Sequence, residues 1–362
     1  MTFEEARAAF PVLERVAYLN AGTMGPLSSD TVAAMAAEQK AELERGRGHP
    51  RHIERMRELR KQARSRLATL LAVPPEHVTL TASTTQGCNL VLAGLDLGPD
   101  DEVVTTDVEH FGLLGALHTS GARVRVAHLF GRRPEAALEL ILAELGPRTR
   151  LIALSHVAWV TGHALPVREV KERVDLPVLV DGAQSAGAIR VDAGEFDFYA
   201  VSCQKWLCGP DATGALYVRD PERLRVTAPS YFSMETHDET GRFEPRPGAV
   251  RFDPGWIPPS SLAGLVSALD SAPDWRFERA AQLTERCRQL LAAHVEIVTE
   301  PGHATLVSFR AGEDAAELVA RAYDAGVFVR EVPGRRLVRV SCGYWTSEDD
   351  LQRLVDVVDA SG

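Results

Sequence analysis

The sequence predicts an α/β fold with a mainly parallel, seven-stranded sheet in a large domain and a smaller C-terminal α+β domain. Seven short apolar runs recur through the first two-thirds of the 362 residues, and helical patterns such as 134–145 separate several of them. Near-continuous Val, Leu and Ile runs with helices between them are typical of a parallel sheet that is buried on both faces. After about Ala304 the pattern changes to short strands and two amphipathic helices, which favours the second domain.

Each predicted strand is a short run of β-branched and other apolar residues bounded by polar or turn residues. The strands of the large sheet are expected at 77–82, 102–107, 122–129, 150–157, 177–181, 196–202 and 213–219. In the C-terminal region, strands are expected at 304–310, 327–331 and 336–342, and helices at 313–326 and 347–360. The large domain is assigned to 18–258, and the small domain to 1–17 together with 259–362.

Composition argues against a nucleic-acid-binding role. The formal net charge is −10, and acidic and basic residues are interspersed. The Arg-rich stretch 45–66 carries apolar residues at helical spacing, including Met56, Leu59 and Ala63, so we interpret it as an amphipathic helix with a solvated basic face. The polar and aromatic stretch 230–248 is interpreted as a loop that could cover a substrate.

Membrane insertion, export and metal binding are also disfavoured. No apolar run has the length of a transmembrane helix, and residues 1–10 lack the apolar core of a signal peptide. A cytoplasmic protein that does not bind membranes is therefore expected. The five cysteines lack the spacing of a zinc site or of a disulfide framework; they lie at positions 88, 203, 208, 287 and 342.

A carboxylate and a lysine 24 residues apart give the first indication of chemistry. Asp181 ends the strand PVLVD, and α/β sheets place ligands at the carboxyl ends of parallel strands. Lys205 lies between the apolar run FYAVS and the turn WLCGP, where a solvated charge is unfavourable and burial would lower its pKa. Alone, Asp181 is more simply a turn-capping residue. Together, the pair indicates a site for pyridoxal 5′-phosphate (PLP), whose aldehyde needs an amine and whose pyridine nitrogen needs a carboxylate.

Two further features follow in an order that suits this cofactor. Ser83, Thr84 and Thr85 come between a predicted strand and a helix, where free N–H groups and the helix dipole favour a phosphate. Ordinary N-capping explains the same residues, so this signal is weak by itself. His110 follows the next strand, where an imidazole could stack on the pyridine ring and transfer protons.

Together these residues resemble the class V aminotransferase superfamily of fold-type I PLP enzymes, which includes cysteine desulfurases, selenocysteine lyases, isopenicillin N epimerase-like proteins and kynureninase. The resemblance runs nearly end to end, from YLNAGTMGPLS at 18–28 to RVSCGYWTSEDDL at 339–351. It implies the fold-type I PLP-dependent transferase fold, PLP as cofactor and an active site shared across a homodimer.

The resemblance implies a role for each residue at the cofactor. Lys205 would form the internal aldimine, Asp181 would pair with the pyridine nitrogen, and His110 would stack on the ring. Gln184 would approach the ring hydroxyl. The phosphate would be bound by four further residues: Thr84, Thr85, Ser202 and Gln204. Many relatives have His in place of Gln204, but an amide can also donate a hydrogen bond to phosphate.

On the substrate side, the resemblance implies that Arg339 holds a carboxylate through a bidentate pair. Asn20 would border the substrate. Trp256 stands where relatives often have Thr in a loop that reaches the partner subunit. An ordinary strand-surface arginine is the alternative for Arg339, and packing at the dimer interface is the alternative for Trp256.

The reaction implied is chemistry at Cα or Cβ of an amino-acid-like substrate, through a lysine aldimine and a quinonoid. We favour a lyase that cleaves C–S or a related bond by β-elimination without a persulfide cysteine, because the nearest resemblances cluster with lyases and epimerases. A persulfide-forming desulfurase is disfavoured because 304–338, where desulfurases carry their acceptor cysteine, has none. The alternatives are an aminotransferase, then an amino-acid epimerase, then a cysteine desulfurase. A PLP-binding scaffold without turnover is the non-enzyme alternative.

Overall fold

The computed structural model describes residues 1–312 and 314–360. Its α-helices are α1 (Phe3–Ala8), α2 (Ser29–Arg45), α3 (Pro50–Leu70), α4 (Thr84–Gly94), α5 (Phe111–Thr119), α6 (Ala137–Ala143), α7 (Val167–Arg173), α8 (Pro259–Ser271), α9 (Arg276–Leu291), α10 (Ala315–Asp324) and α11 (Glu348–Asp359). Its strands are β1 (Ala17–Tyr18), β2 (Val78–Thr81), β3 (Glu102–Thr106), β4 (Arg123–Ala127), β5 (Thr149–Ser155), β6 (Val178–Asp181), β7 (Phe198–Ser202), β8 (Gly214–Val218), β9 (Met234–His237), β10 (Phe243–Pro245), β11 (Leu306–Arg310), β12 (Val327–Phe328), β13 (Arg330–Val332) and β14 (Leu337–Ser341).

The large sheet has seven strands in the order β2–β8–β7–β6–β5–β3–β4. Strands β3 to β7 pair in parallel, and β8 runs antiparallel to both of its neighbours. Helices pack on both faces, which explains why the central strands β6 and β7 are buried at every position. The predicted mainly parallel seven-stranded sheet is therefore confirmed, and all seven predicted runs contain one of its strands.

Three strands end side by side and bring polar groups to one edge of the sheet. Ser155 closes β5, Asp181 closes β6 and Ser202 closes β7. Ser155 is the register partner of Asp181, and Asp181 is the partner of Ala200 two positions before Ser202. This carboxyl edge is where a parallel sheet places its ligands.

The C-terminal region forms a second, three-stranded antiparallel sheet in the order β11–β14–β13, with α9, α10 and α11 contributing to its apolar core. The predicted strands at 304–310 and 336–342 and the helix at 347–360 are confirmed. The helix expected at 313–326 is observed as α10, while Glu313 lies outside the described residues. The exact division into domains at 18–258 and 259–362 stays a prediction.

The single strand expected at 327–331 is wrong, because two strands occupy this stretch. Val327 and Phe328 pair in parallel with β1, near the N-terminus, whereas Arg330 begins β13 and pairs with β14. The chain thus changes partner at Val329. A local pattern of apolar residues cannot reveal this, because both segments are extended.

Two other expectations need correction. The stretch 230–248 is not all loop, since β9 and β10 form an antiparallel hairpin within it. The basic helix is present as α3, but its basic residues are not all solvated. Arg60 is only 3% exposed and forms an ion pair with Asp253.

Other described features bear on function. None of the described helices combines the length and the apolar character needed to cross a bilayer. All five cysteines are free and buried. Within 1–312 and 314–360, no group of three or more His, Cys, Asp or Glu side chains is arranged to hold a metal ion.

Candidate active site

A cavity of about 240 Å³ opens at the carboxyl edge of the large sheet, and we call it the strand-end cavity. It collects residues from the N-terminal loop, the large sheet and the small sheet. Its walls are formed by Gly22, Thr23, Ser83, Thr84, Thr85, His110, Phe111, Gln184, Ser202, Gln204, Lys205, Arg330 and Arg339. Most of the predicted cofactor residues therefore meet in one place.

Lys205 lies in the turn after β7, is half-buried and lines the cavity. Burial lowers the pKa of Lys205 from its ordinary value to about 8. The negative charge of Asp181 raises this pKa, and the positive charges of Arg339 and Arg330 lower it further. The turn is fixed by a close backbone approach: Gly25 donates its N–H to the carbonyl of Gln204 at 2.8 Å, and a Cβ on Gly25 would lie 2.1 Å from the Lys205 carbonyl oxygen. A buried amine of this kind is a nucleophile and base near neutral pH.

Asp181 provides a buried carboxylate at the end of β6, close enough to Lys205 for each to shift the pKa of the other. Burial raises the pKa of Asp181, while the Lys205 amine and the N–H of Ala183, which donates at 2.8 Å, act in the opposite direction. Asp181 itself does not line the cavity and lies behind its wall. A charge in that position favours a cationic ring nitrogen in front of it.

The expected phosphate cradle lies at the first turn of α4. Ser83 is the N-cap and accepts from the N–H of Gln86 at 3.2 Å. The Thr84 N–H donates to the Ser202 hydroxyl at 3.0 Å, which joins the end of β7 to the start of this helix. Hydroxyls and the helix dipole at one end of the cavity suit an anion.

His110 is the N-cap of α5, and its Nδ1 accepts from the N–H of Gly112 at 3.1 Å. This bond leaves the imidazole proton on Nε2. Burial, and then the charges of Lys205, Arg330 and Arg339, lower the pKa of His110 to about 3. The ring is thus neutral at pH 7, which suits stacking on an aromatic cofactor more than supplying protons.

Two cavity-lining polar groups show that the site is built for a polar ligand. The Oε1 atom of Gln204 and the Nε atom of Arg339 are buried and have no hydrogen-bond partner among the described residues. Unsatisfied buried polar atoms are costly, and a polar ligand in the cavity would complete the bonding of these two, although six other buried atoms of the described residues, among them Arg60 Nε, also lack a partner. Gln184 is already held, because its Nε2 donates to the Gly22 carbonyl at 2.8 Å and its Oε1 accepts from Trp206. A buried lysine, a carboxylate behind it and a phosphate cradle fit PLP.

The substrate side of the cavity holds two arginines rather than the one that the sequence predicts. Arg339 is 1% exposed and lies on β14, directly opposite Arg330 on β13 in the antiparallel register. Burial, and then the charge of Arg330, lower the pKa of Arg339 to about 9. Neither guanidinium forms an ion pair with any described carboxylate. Like charges opposite each other destabilise a sheet, and an anion between the two guanidiniums would relieve this repulsion.

Trp159 and Thr23 hold these arginines. The Trp159 ring lies 5.8 Å from the Arg330 guanidinium carbon and 6.0 Å from that of Arg339, measured to the ring centroid. The backbone carbonyl of Trp159 accepts from Arg339 Nη1 at 3.2 Å. The Trp159 ring centroid lies 5.0 Å from the ring centroid of His110. The Thr23 hydroxyl accepts from Arg330 Nη1 at 3.1 Å.

Two predicted substrate residues are not on the cavity wall. Asn20 lies behind it, where its Oδ1 accepts from the Thr23 hydroxyl at 2.7 Å. Trp256 is 63% exposed and stacks on Tyr231 with centroids 5.8 Å apart. Trp256 does not line the cavity of its own chain, so a substrate contact by this residue stays a prediction that requires a second subunit.

Sequence reasoning missed Arg330 and Thr23. Arg330 interrupts the apolar run that begins at Val327, which is a signal that the strand faces something polar. Thr23 lies in the quoted segment 18–28 next to Asn20, yet nothing in its local pattern distinguishes its hydroxyl from a turn residue. Both depend on contacts between distant parts of the chain.

Comparisons with known proteins agree with this geometry. A family model described as Aminotransferase class-V matches residues 18–354. Isopenicillin N epimerase from Streptomyces clavuligerus is 28% identical over 99% of this chain and 98% of its own length. A probable cysteine desulfurase from Pseudomonas aeruginosa is 33% identical over 83% of this chain and 82% of its own length.

Solved structures share the whole fold. A mutant of C-DES with glycine covalently linked to its PLP cofactor has a TM-score of 0.92 and 28% identity, covering 98% of this chain and 99% of that one. A complex of the cystine C–S lyase C-DES with its reaction product, cysteine persulfide, has a TM-score of 0.90 and the same identity, over 98% and 100% of the two chains.

Proposed function

The chain belongs to the aminotransferase class-V family, and from this premise we propose that it is a lyase that cleaves the Cβ–S bond of an amino-acid disulfide with two carboxylates, of the cystine class. It is a PLP-dependent enzyme of the fold-type I group. The observation that carries the finer proposal is the pair Arg330 and Arg339 in the strand-end cavity.

The arginine pair supports a substrate with two acidic groups. One guanidinium is enough to bind the α-carboxylate of a simple amino acid. A second, placed opposite it on the neighbouring strand and free of any described carboxylate, matches a second anionic group. Arg339, the more buried of the two, would hold the α-carboxylate, and Arg330 would hold the distal one. Cystine has this pattern of charges, and C-DES, a structural relative over the whole chain, is described as a cystine C–S lyase.

The remaining site residues would hold the cofactor. Lys205 would bind its aldehyde carbon, and Asp181 would stabilise the positive charge on the pyridine nitrogen. The phosphate would lie at the start of α4, where Thr84, Thr85 and Gln204 line the cavity and where the two hydroxyls and the amide nitrogen would donate to it. When bound, PLP supplies an electron-accepting ring that stabilises the negative charge left at Cα after proton removal.

The elimination balances without any oxidant or reductant. Lys205, freed when the substrate amine takes its place, would accept the Cα proton, so that the Cα–H bond breaks as the Cα–Cβ double bond forms. The Cβ–S bond breaks, and its electron pair leaves on sulfur as cysteine persulfide. The released enamine is hydrolysed by water to pyruvate and ammonia. Lys205 suits the base role because its lowered pKa, about 8, leaves part of the amine neutral near pH 7.

The buried cysteines argue against a desulfurase that stores sulfur on its own thiol. Such a thiol must be accessible and readily ionised. Burial raises the pKa of Cys203 to about 12 and also raises that of Cys208, the two cysteines that flank Lys205. Cys342 is fully buried in the core of the small sheet. Elimination from a disulfide needs no acceptor thiol, because the sulfur leaves with the product.

The test is product analysis with the PLP-loaded enzyme. Incubation with L-cystine should give pyruvate, ammonia and persulfide sulfur in equal amounts. The Lys205→Ala variant should lose at least about 10³-fold in rate, the loss expected of a general base and nucleophile. Lys40→Ala, at an exposed lysine on α2, is the matched control and should keep full activity.

Other products would assign another reaction. Alanine and an equal amount of sulfane sulfur from L-cysteine, with sulfide appearing only after a thiol reductant is added, would indicate a desulfurase. Consumption of an added keto acid would indicate a transaminase. Deuterium from solvent at Cα without net product would indicate an epimerase, the activity named for the Streptomyces relative. Any of these without pyruvate from cystine would contradict the lyase assignment. The proposed setting is a cytoplasmic homodimer.

A further inference from the structure

We propose that Thr23 is a positioning residue whose hydroxyl holds Arg330 and Arg339 as a pair, and so sets a preference for substrates with two carboxylates. This inference rests on the proposed function. Thr23 takes no part in bond breaking. It acts on the guanidinium that receives the distal carboxylate.

Three contacts use the whole bonding capacity of the Thr23 hydroxyl. It accepts from Arg330 Nη1 at 3.1 Å and from Arg339 Nη2 at 3.4 Å, and it donates to Asn20 Oδ1 at 2.7 Å. A hydroxyl has one proton and two acceptor positions, so this network is complete. Two cations from different strands thus share one oxygen, whose orientation the Asn20 side chain fixes.

The two arginines depend on Thr23 to different degrees. Arg339 has a second hydrogen bond, to the carbonyl of Trp159 at 3.2 Å. Among the described residues, Arg330 has one hydrogen-bond acceptor, the Thr23 hydroxyl. The guanidinium of Arg330 also lies over the ring of Trp159, 5.8 Å from the ring centroid. Loss of the hydroxyl should therefore release Arg330 much more than Arg339. Repulsion between the two cross-strand cations would then drive Arg330 away from the cavity.

The loop that carries Thr23 is anchored without its side chain. The N–H of Gly22 donates to the Ser341 hydroxyl at 3.1 Å, and its carbonyl accepts from Gln184 at 2.8 Å. The N–H of Thr23 itself donates to the Asn20 carbonyl at 2.9 Å. Replacement of Thr23 by Val, which has nearly the same shape, should thus remove the hydroxyl and leave the loop in place.

The experiment compares wild type, Thr23→Val and Thr23→Ser on two substrates. L-Cystine has two carboxylates, whereas β-chloro-L-alanine has one and undergoes the same elimination. We expect Thr23→Val to raise KM for cystine about tenfold, the effect of one lost hydrogen bond to a charged group, with a much smaller change for β-chloroalanine. The kcat values should change less than about twofold, because no transition-state contact is lost. Thr23→Ser, which keeps the hydroxyl, should restore the wild-type KM.

A binding measurement separates this inference from the lyase assignment. Calorimetric titration of the PLP-loaded protein with glutarate and with butyrate compares a dicarboxylate with a monocarboxylate, and neither can react. Thr23→Val should weaken glutarate about tenfold more than butyrate, whether or not cystine is a substrate. If wild type fails to cleave cystine but shows this difference, the proposed function is wrong and the role of Thr23 stands. Equal weakening of both ligands, or a Thr23→Ser variant that behaves like Thr23→Val, would refute the role of Thr23.

Discussion

Two clusters of arginines in this protein differ in what neutralises them. In the strand-end cavity, Arg330 and Arg339 face each other on neighbouring strands, and among the described residues their hydrogen-bond and ring partners are a hydroxyl, a carbonyl and the face of an indole ring. On α3, Arg60 and Arg64 converge on one buried carboxylate, that of Asp253. We call the second group the Asp253 cluster.

Both oxygens of the Asp253 carboxylate are bonded by protein groups. The Oδ2 atom of Asp253 accepts from Arg60 and Arg64. The Oδ1 atom of Asp253 accepts from the Thr79 hydroxyl at 2.9 Å and from the Leu80 N–H at 3.1 Å. The segment after Asp253 is thereby fixed to β2 and α3.

The two groups differ in whether a carboxylate of the chain is paired with the arginines. Buried cations are expensive unless paired, and Asp253 supplies one carboxylate that Arg60 and Arg64 share. In the strand-end cavity, no described carboxylate pairs with Arg330 or Arg339, and an anionic substrate would relieve the repulsion between these two cations. The position of a buried charge is therefore less informative than whether the protein supplies its counter-charge.

The largest effect on stability is expected from Asp253→Asn. Two buried guanidiniums would lose their carboxylate, so we expect a loss of about 3–5 kcal/mol in the free energy of unfolding. Urea unfolding followed by circular dichroism measures it. Asp270→Asn is the matched control: it removes the exposed partner of Arg66 and should cost under about 1 kcal/mol. Similar losses in both variants would show that the Asp253 cluster is not special.

The buried amine of Lys205 predicts a pH dependence of stability in the cofactor-free protein. Its pKa is about 8 in the folded state against an ordinary 10.5, so between these pH values the unfolded chain carries a proton that the folded chain lacks. The free energy of unfolding should therefore rise with pH across this window, by at most about 1.4 kcal/mol per pH unit from this group.

Unfolding of wild type and Lys205→Met at pH 8, 9 and 10 isolates this contribution. The variant should be the more stable at pH 8, and its advantage should shrink as the pH rises. Lys40→Met keeps Lys205 and should follow wild type. A constant difference between wild type and Lys205→Met over the window would show that the amine is not desolvated in the folded protein.

The smallest expected effect is the change in stability when one arginine is replaced, and its sign should differ between the two clusters. Arg330→Gln removes one of two facing cations, so we expect the cofactor-free protein to gain up to about 1 kcal/mol in stability. Arg64→Gln removes a cation that Asp253 needs and should destabilise the protein. Thermal unfolding of both variants measures the signs. A loss of stability in Arg330→Gln would mean that the cavity arginines also hold the fold.

Much of the fold could be read from the sequence because its signals are local. The runs that end at Asp181 and Ser202 are apolar at every position, as strands buried on both faces must be. The split of 327–331 and the hairpin within 230–248 were not predicted, because each depends on which strand lies beside the segment.

By itself, the sequence predicted the large sheet and the carboxyl-edge site with Asp181 and Lys205, since strand patterns are properties of neighbouring residues. The roles of the other residues expected at the cofactor came from the resemblance to a known family. Only the tertiary structure decided the substrate side. Arg330 faces Arg339 because of the register of β13 on β14, and Thr23 reaches Arg330 across 307 positions of sequence. Such contacts are fixed by how sheets and loops pack over long sequence separations, which no local pattern encodes.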